Sequence, residues 1–352
     1  MSRGPSFFVH DSLIANWRHF EARHVRALSK SFRIEQFCMP WRTEPWEIAL
    51  RKLFMITLAL AVVGAAVFWF VTIPATIPAS ALGTRTADLA NGKEMFYAGG
   101  CASCHATPEQ DDKTKLGGGL GLKSPFGTFY VPNISPDPDD GIGKWSEADF
   151  ATAMLKGTSP DGRHYFPAFP YASYQRMTMN DVRDLFAHIK TLPAVKGKIR
   201  DHDVPFPFNV RRSLGGWKFL FLDGKAFAPD ASKSAQWNRG AYLVSGPGHC
   251  AECHSPRNVL GGIIGSQRFA GGPEPTGDGF VPNITQKSLT LSQENLVKLL
   301  ETGETPDGDT IGGEMAKVTS NTGKLGAADR EAIATYVRSL PPVEGPKRPE
   351  SK

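Results

Sequence analysis

The sequence predicts an all-α protein, with one apolar helix of membrane-spanning length followed by two tandem copies of a small helical domain. Three observations predict it. Leu53 to Ile73 is a run of 21 residues without a charged side chain. Beyond it, Val131-Pro-Asn-Ile134 returns as Val281-Pro-Asn-Ile284, Ser159-Pro-Asp-Gly162 as Thr305-Pro-Asp-Gly308 and Leu192-Pro193 as Leu340-Pro341, at offsets between 146 and 150. Each copy closes on apolar residues at i, i+3, i+4, i+7: Val182, Leu185, Phe186 and Ile189, then Ile333, Tyr336, Val337 and Leu340.

The first element is the apolar run. As a helix, 21 residues extend about 30 Å, the thickness of a bilayer's hydrocarbon core. We bound the predicted anchor at 53–74. Arg51 and Lys52 precede it directly and no Lys or Arg follows until Arg85. The positive-inside rule therefore places residues 1–52 in the cytoplasm and everything after about residue 75 outside, with the membrane crossed once. Ala79-Ser80-Ala81 offers a small-residue cleavage site, but the run exceeds the h-region of a usual signal peptide, so we read a retained anchor. Residues 1–52 read either as a short cytoplasmic tail or as a stretch upstream of a start at Met55. Cys38 within them reads as an unpaired reduced thiol.

The repeats bound the first domain at 87–195 and the second at 234–342, with a tail at 343–352. Each copy opens on a short helical segment, Gly92–Phe96 and Gly240–Val244, where glycine lets the first helix cross closely against the last. Between these helices lie Gly/Pro-rich stretches too long for a domain that supports itself. The linker, 196–233, holds Pro205-Phe-Pro-Phe208, Trp217, Phe219, Leu220 and Phe221, too apolar for a solvated spacer. It reads as glue between the domains or as a surface lying on the membrane or a partner.

The chemistry sits in Cys101-Ala-Ser-Cys104-His105 and Cys250-Ala-Glu-Cys253-His254, which use four of the five cysteines. Cys-x-x-Cys-His is the attachment signature of a c-type haem. Two thiols three positions apart reach the two vinyl groups of one porphyrin, and the adjacent histidine presents an imidazole nitrogen to the iron. A zinc knuckle or a redox dithiol is the competing reading of one motif; two, 149 residues apart in a duplicated framework, argue for two covalently bound haem c groups. With them, the copies read as class I-like cytochrome c domains whose loops wrap the porphyrin.

The sixth iron ligands decide what such haems do, because a His/Met iron is saturated and an open one binds small molecules. In the second copy Met315, in the loop Gly312-Gly313-Glu314-Met315, is the sole methionine. In the first, the equivalent position falls within Pro167-Ala168-Phe169, none of which binds iron. Met95 reads as packing in the first helix, Met154 as core and Met179 as the first turn of the last helix. We select Met177, although it also reads as the N′ residue of a hydrophobic staple with Val182, with Leu325 at the corresponding place. Asn133, Asn283 and Trp145 are candidates to contact propionates or orient loops. His164 and His249 read as haem-edge or surface residues rather than ligands.

Several segments resemble the dihaem portion of bacterial cytochrome c subunits that serve membrane-associated alcohol, aldehyde, sugar and N-heterocycle dehydrogenases. They are Asn133-Ile-Ser-Pro136 with Gly141-Ile-Gly-Lys-Trp145, Tyr165-Phe-Pro-Ala-Phe-Pro-Tyr171, Pro205-Phe-Pro-Phe-Asn209, Trp237-Asn-Arg-Gly240, His249-Cys250 through Arg257-Asn258, and Gly312-Gly-x-Met315. Many members place methionine where Phe169 stands and carry a third Cys-x-x-Cys-His domain. Others have phenylalanine there and methionine at the Met177 position, which supports Met177.

Residues 1–52 carry nine Lys/Arg and five Asp/Glu, so the rest is nearly neutral, and the net charge of +5 gives no support to nucleic-acid binding. The resemblance implies a non-catalytic electron-transfer protein. Its donor would be a periplasmic dehydrogenase, and its acceptor a soluble cytochrome, a quinone or a terminal oxidase. The rival is a dihaem enzyme of the peroxidase or thiosulfate-oxidising type with one open haem site, to which Phe169 points. A redox subunit embedded in an oxidase complex is a weaker alternative, since it would bring further spanning helices.

Overall fold

The computed structural model describes residues 44–348 apart from 276 and 278, so Cys38 and most of the predicted N-terminal tail lie outside the described residues. The chain divides into two compact units, Met1–Ala65 and Ala66–Lys352. Helix α1, Pro45–Val71, begins earlier than the apolar run, with proline at its first position where a missing N–H costs nothing. It ends at Val71, shortly before Pro74, which cannot continue a helix. Among the described residues it alone is long and apolar enough to cross a membrane, and none of its residues is buried.

The first set of elements follows. Helix α2 (Leu89–Ala98) is capped by the Asp88 carboxylate, and α3 (Cys101–His105) follows within a few residues. Strands β1 (Gly121–Ser124) and β2 (Gly127–Tyr130) form an antiparallel hairpin. Helix α4 (Glu147–Lys156) starts on a Ser146/Asp149 capping box, α5 (Tyr171–Tyr174) is one turn, and α6 (Met179–Ile189) is capped by Thr178. Helix α7 (Ser213–Phe221) leads to the second set. That comprises α8 (Ala235–Ser245), α9 (Ala251–His254), the hairpin β3 (Gly272–Pro273) and β4 (Phe280–Val281), then α10 (Gln293–Thr302), α11 (Gly313–Thr322) and α12 (Ala327–Val337). The fold is mostly helical, and the two small hairpins are what the helical periodicity could not foresee. They form where glycines let Gly/Pro-rich segments double back.

In each set the first helix crosses the last at a glycine. A Cβ on Gly92 would lie 2.1 Å from the Asp184 carbonyl oxygen of α6, and one on Gly240 would lie 1.9 Å from the Ala332 carbonyl oxygen of α12. No other residue permits that approach. Met95, Phe96, Val182, Leu185 and Ile189 fill the first crossing, and Leu243, Val244, Ile333 and Val337 the second. Phe150 of α4 stacks on Phe186 of α6 at 4.8 Å. An arginine ties the flanking helix in each set: Arg183 Nε to Glu147 at 2.7 Å, and Arg330 Nη2 to Glu301 at 2.7 Å.

Helix α7 is fastened to both sets. Lys218 Nζ, which burial pushes down to about 7, donates to the Lys156 carbonyl at the end of α4 at 2.7 Å and to that of the cap residue Gly157 at 2.6 Å. The Trp217 ring meets Tyr171 edge-on at 6.0 Å, while its Nε1 donates to the Leu260 carbonyl at 2.9 Å. Phe219 and Leu220 remain exposed.

Asp184 is the buried charge of the first crossing. Burial opposes its ionisation, but donation from Asn91 Nδ2 and the Asp88 amide, both at 2.8 Å, and from Arg85 holds its carboxyl below the ordinary value. A carboxylate depressed by folding contributes stability above its unfolded pKa and loses it as pH falls through the folded one. Asp184→Asn is therefore expected to lower stability by about 1–3 kcal/mol at neutral pH. Thermal melts of the two proteins should converge as pH falls below about 4.

Candidate haem attachment site

In both sets a short helix carries the Cys-x-x-Cys-His, entered through a left-handed residue: Gly100 at φ 56° and His249 at φ 39°. The imidazoles are held identically. His105 Nδ1 donates to the Pro132 carbonyl at 2.9 Å and His254 Nδ1 to the Pro282 carbonyl at 2.9 Å. A carbonyl only accepts, so Nδ1 carries the proton and the lone pair of Nε2 is left for a metal. The histidine backbone is held by the same loop, through Gly118 N to the His105 carbonyl at 2.8 Å and Gly271 N to the His254 carbonyl at 2.9 Å.

Those loop glycines are required twice over. Gly118 has φ +70° and its Cβ would lie 2.5 Å from the Pro132 carbonyl carbon; Gly271 has φ +73° and its Cβ would lie 2.8 Å from the Pro282 carbonyl carbon. The loop therefore lies directly against the carbonyl that fixes the ring. Asn133 and Asn283 brace the same turns. Asn133 Nδ2 donates to the Val195 carbonyl at 2.7 Å and its Oδ1 accepts from the Ser135 amide at 2.9 Å. Asn283 Nδ2 donates to the Val343 carbonyl at 2.8 Å and its Oδ1 accepts from the Thr285 amide at 2.8 Å. Of the two roles considered for them, loop orientation is the one their bonds serve.

Burial sets the protonation of the motif. It pushes the Cys101 thiol up to about 12, with Cys104 adding to the rise, the Cys250 thiol up to about 12 and the Cys253 thiol up to about 11. Burial also raises Cys104 and lowers both imidazoles, His105 to about 4. Neutral imidazole is the ligating form, and a seat that disfavours thiolate suits an uncharged thioether rather than a thiolate-bound metal. Among the described residues no three His, Cys, Asp or Glu side chains converge to hold a metal ion. The donor set fits haem c.

The two motifs lie at one junction. His249 Nε2 donates to the Gly99 carbonyl at 3.2 Å, and its ring meets Tyr174 edge-on at 5.7 Å. Asn321 Nδ2 of α11 donates to Ser103 Oγ, inside the first motif, at 2.9 Å. Ser173 Oγ donates to Glu252, inside the second motif, at 2.6 Å, in a buried bond. The strained turn at His249 is explained by that reach, which glycine at the equivalent position does not make. Tyr174, Ser173 and Asn321 carry no sequence signal, since their roles arise only where the two sets touch.

The methionines divide as follows. Met95 and Met154 are core residues and Met179 opens α6. Met315 is half-buried and sits in the first turn of α11 rather than in a loop. The bridges Thr158–His164 and Glu304–Thr310 align the two sets and make Phe169 the positional equivalent of Met315. Phe169 packs edge-on to Tyr174 at 5.5 Å. Met177 is 2% exposed and occupies the place of Leu325, each amide bonding three residues back, to Tyr174 and Thr322. Of the two places expected for His164, the surface is excluded: it is buried, with Nε2 donating to the Thr72 carbonyl at 2.9 Å.

Gly118→Ala is expected to lower stability by about 2–4 kcal/mol, from left-handed strain and overpacking together. Denaturant midpoints check this, and faster hydrogen exchange at the Ile134 amide, which bonds the Leu116 carbonyl, should accompany it.

Residues 89–193 match the cytochrome c family. The chain is 44% identical over 297 residues to a dihaem cytochrome c-type protein of Cereibacter sphaeroides, across 84% of this chain and 100% of that one. It is 39% identical over 284 residues to a subunit of the nicotinate dehydrogenase of Pseudomonas putida, covering 80% of this chain and 24% of the relative. It is 36% identical over 270 residues to the fructose dehydrogenase cytochrome subunit of Gluconobacter japonicus, covering 75% of this chain and 54% of the relative. It thus spans the first relative entirely, but only a quarter and about half of the other two. The chain belongs to the dihaem c-type cytochromes related to the cytochrome c subunits of dehydrogenases.

Proposed function

We propose that the chain is a membrane-anchored electron carrier with two covalently attached haem c groups. It would accept electrons from a periplasmic dehydrogenase and deliver them to a soluble cytochrome, a quinone or a terminal oxidase. The observation that carries this reading is the repeated Nδ1–carbonyl clamp on His105 and His254 at two motifs that share one junction. Relatives that are cytochrome subunits of dehydrogenases support the donor class. Helix α1, with Arg51 and Lys52 near its start, supports retention in the inner membrane with the haem domains, 87–195 and 234–342, in the periplasm.

Haem c supplies one-electron redox chemistry when bound. The side chains of Cys101 and Cys104, and of Cys250 and Cys253, would hold it by adding across its vinyl groups. His105 and His254 would ligate through Nε2, and Met177 and Met315 through sulfur. Burial keeps both imidazoles neutral and the clamps fix their rings, so little rearrangement would accompany a change of charge. Tyr174 and Ser173 are buried where the two motifs meet, beside the half-buried His249.

Phe169 at the position equivalent to Met315 favours a second reading, an enzyme with one open haem site. Leucine at each methionine position separates the readings, because Leu325 shows that the fold accepts leucine where Met177 stands. Met177→Leu and Met315→Leu are each expected to lose the His/Met signature at one haem and to lower one reduction potential, since methionine ligation raises it. An unchanged Met177→Leu spectrum would leave Met177 a packing residue and support the open site.

A further inference from the structure

The exposed apolar residues around α7 form a surface that begins at the end of α1. Arg212, at the N-terminus of α7, donates from Nη2 to the Trp69 carbonyl at 2.6 Å and from Nε to Thr72 Oγ1 at 2.8 Å. Its guanidinium also lies 4.4 Å over the Trp69 ring. A free carbonyl in the last turn of α1 is therefore satisfied by the residue that precedes α7, and the end of one helix meets the start of the other. Trp69 is an aromatic of the kind that marks the membrane–water boundary at a spanning helix end.

From there the apolar surface continues. Phe219 is 70% and Leu220 62% exposed on α7. The Trp217–Leu260 bond joins α7 to the loop carrying Val259, 92% exposed, and Leu260. Phe126, which packs on Phe208 at 5.2 Å, also meets this loop at Gly261, so Phe206, 79% exposed, belongs to the same region. Large apolar side chains of two loops and a helix, left uncovered together, mark a binding surface rather than scattered exposure.

We propose that this surface, formed by Phe206, Phe219, Leu220, Val259 and Leu260, inserts into the lipid headgroup and acyl boundary of the membrane that α1 crosses. The inference rests on α1 being a retained anchor. Continuity with that helix decides between lipid and protein, because the clamp at Trp69 and Thr72 starts α7 where the bilayer ends. Interfacial burial of such side chains strengthens membrane attachment in proportion to apolar area. It also restricts the orientations the haem motifs can take towards partners in the same membrane.

The test uses the full holoprotein in phosphatidylcholine vesicles that carry a photoactivatable diazirine in the acyl chain, with labelled peptides mapped by mass spectrometry. Label in α1, in 206–221 and in 256–263, but not in α10, is the expected result. Phe219→Ser with Leu220→Ser, both at exposed positions, should lose the label in 213–221 while the haem spectrum stays unchanged. Label confined to α1 would overturn the inference, assign the surface to a protein partner and leave the anchor intact. Absence of label from α1 as well would overturn the anchor reading with it.

Discussion

The fold of each haem-type set turns on one hydrogen bond, from a histidine Nδ1 to the carbonyl of a proline in the following loop. Everything near it is arranged to keep that carbonyl in place. A left-handed glycine lies against it and returns its own N–H to the histidine backbone. An asparagine next in sequence ties the turn to the segment after the last helix, at Val195 in one set and Val343 in the other. The glycine crossing of first and last helices carries the motif to that loop. An imidazole held at Nδ1 by a braced carbonyl is fixed in orientation, which is what a ligand to a redox iron requires.

Duplication preserves this frame and relaxes the opposite side. Where the second set has a helix of ten residues with Met315 in its first turn, the first set has the short α5 and Phe169. Met177 and Leu325 then occupy one packing position, so the two haems would differ in the geometry of their sixth ligands while sharing the fifth. Unequal surroundings are a route to unequal potentials, and a chain with two adjacent centres has a direction only if they differ. The junction adds a further asymmetry, because His249 reaches across to Gly99 while Gly100 has no side chain to return.

Much of this was legible in the residues. Both attachment motifs, the helical periodicity and the close crossing at Gly92 and Gly240 follow from spacing and residue type, and the helical architecture agrees. The start of α1 was not, since Pro45 and Glu47 precede the apolar run but suit a helix N-terminus. The hairpins were missed because glycine-rich extended pairs have no apolar alternation. The burial of His164 was not legible because its partner, the Thr72 carbonyl, is distant in sequence. The roles of Tyr174, Ser173 and Asn321 depend on contact between copies, which no periodicity within one copy encodes. The equivalence of Phe169 and Met315 was readable from the repeat offsets, and the paired bridges give it the same register.

The central claim is that both irons are closed on both sides, so that charge passes and no small molecule docks. Carbon monoxide titration of the fully reduced, wild-type holoprotein tests it most directly, read as the fraction of haem whose absorption changes. The account predicts no appreciable binding at either haem. Ready binding by half of the haem would contradict it and make the chain an enzyme with a vacant coordination site.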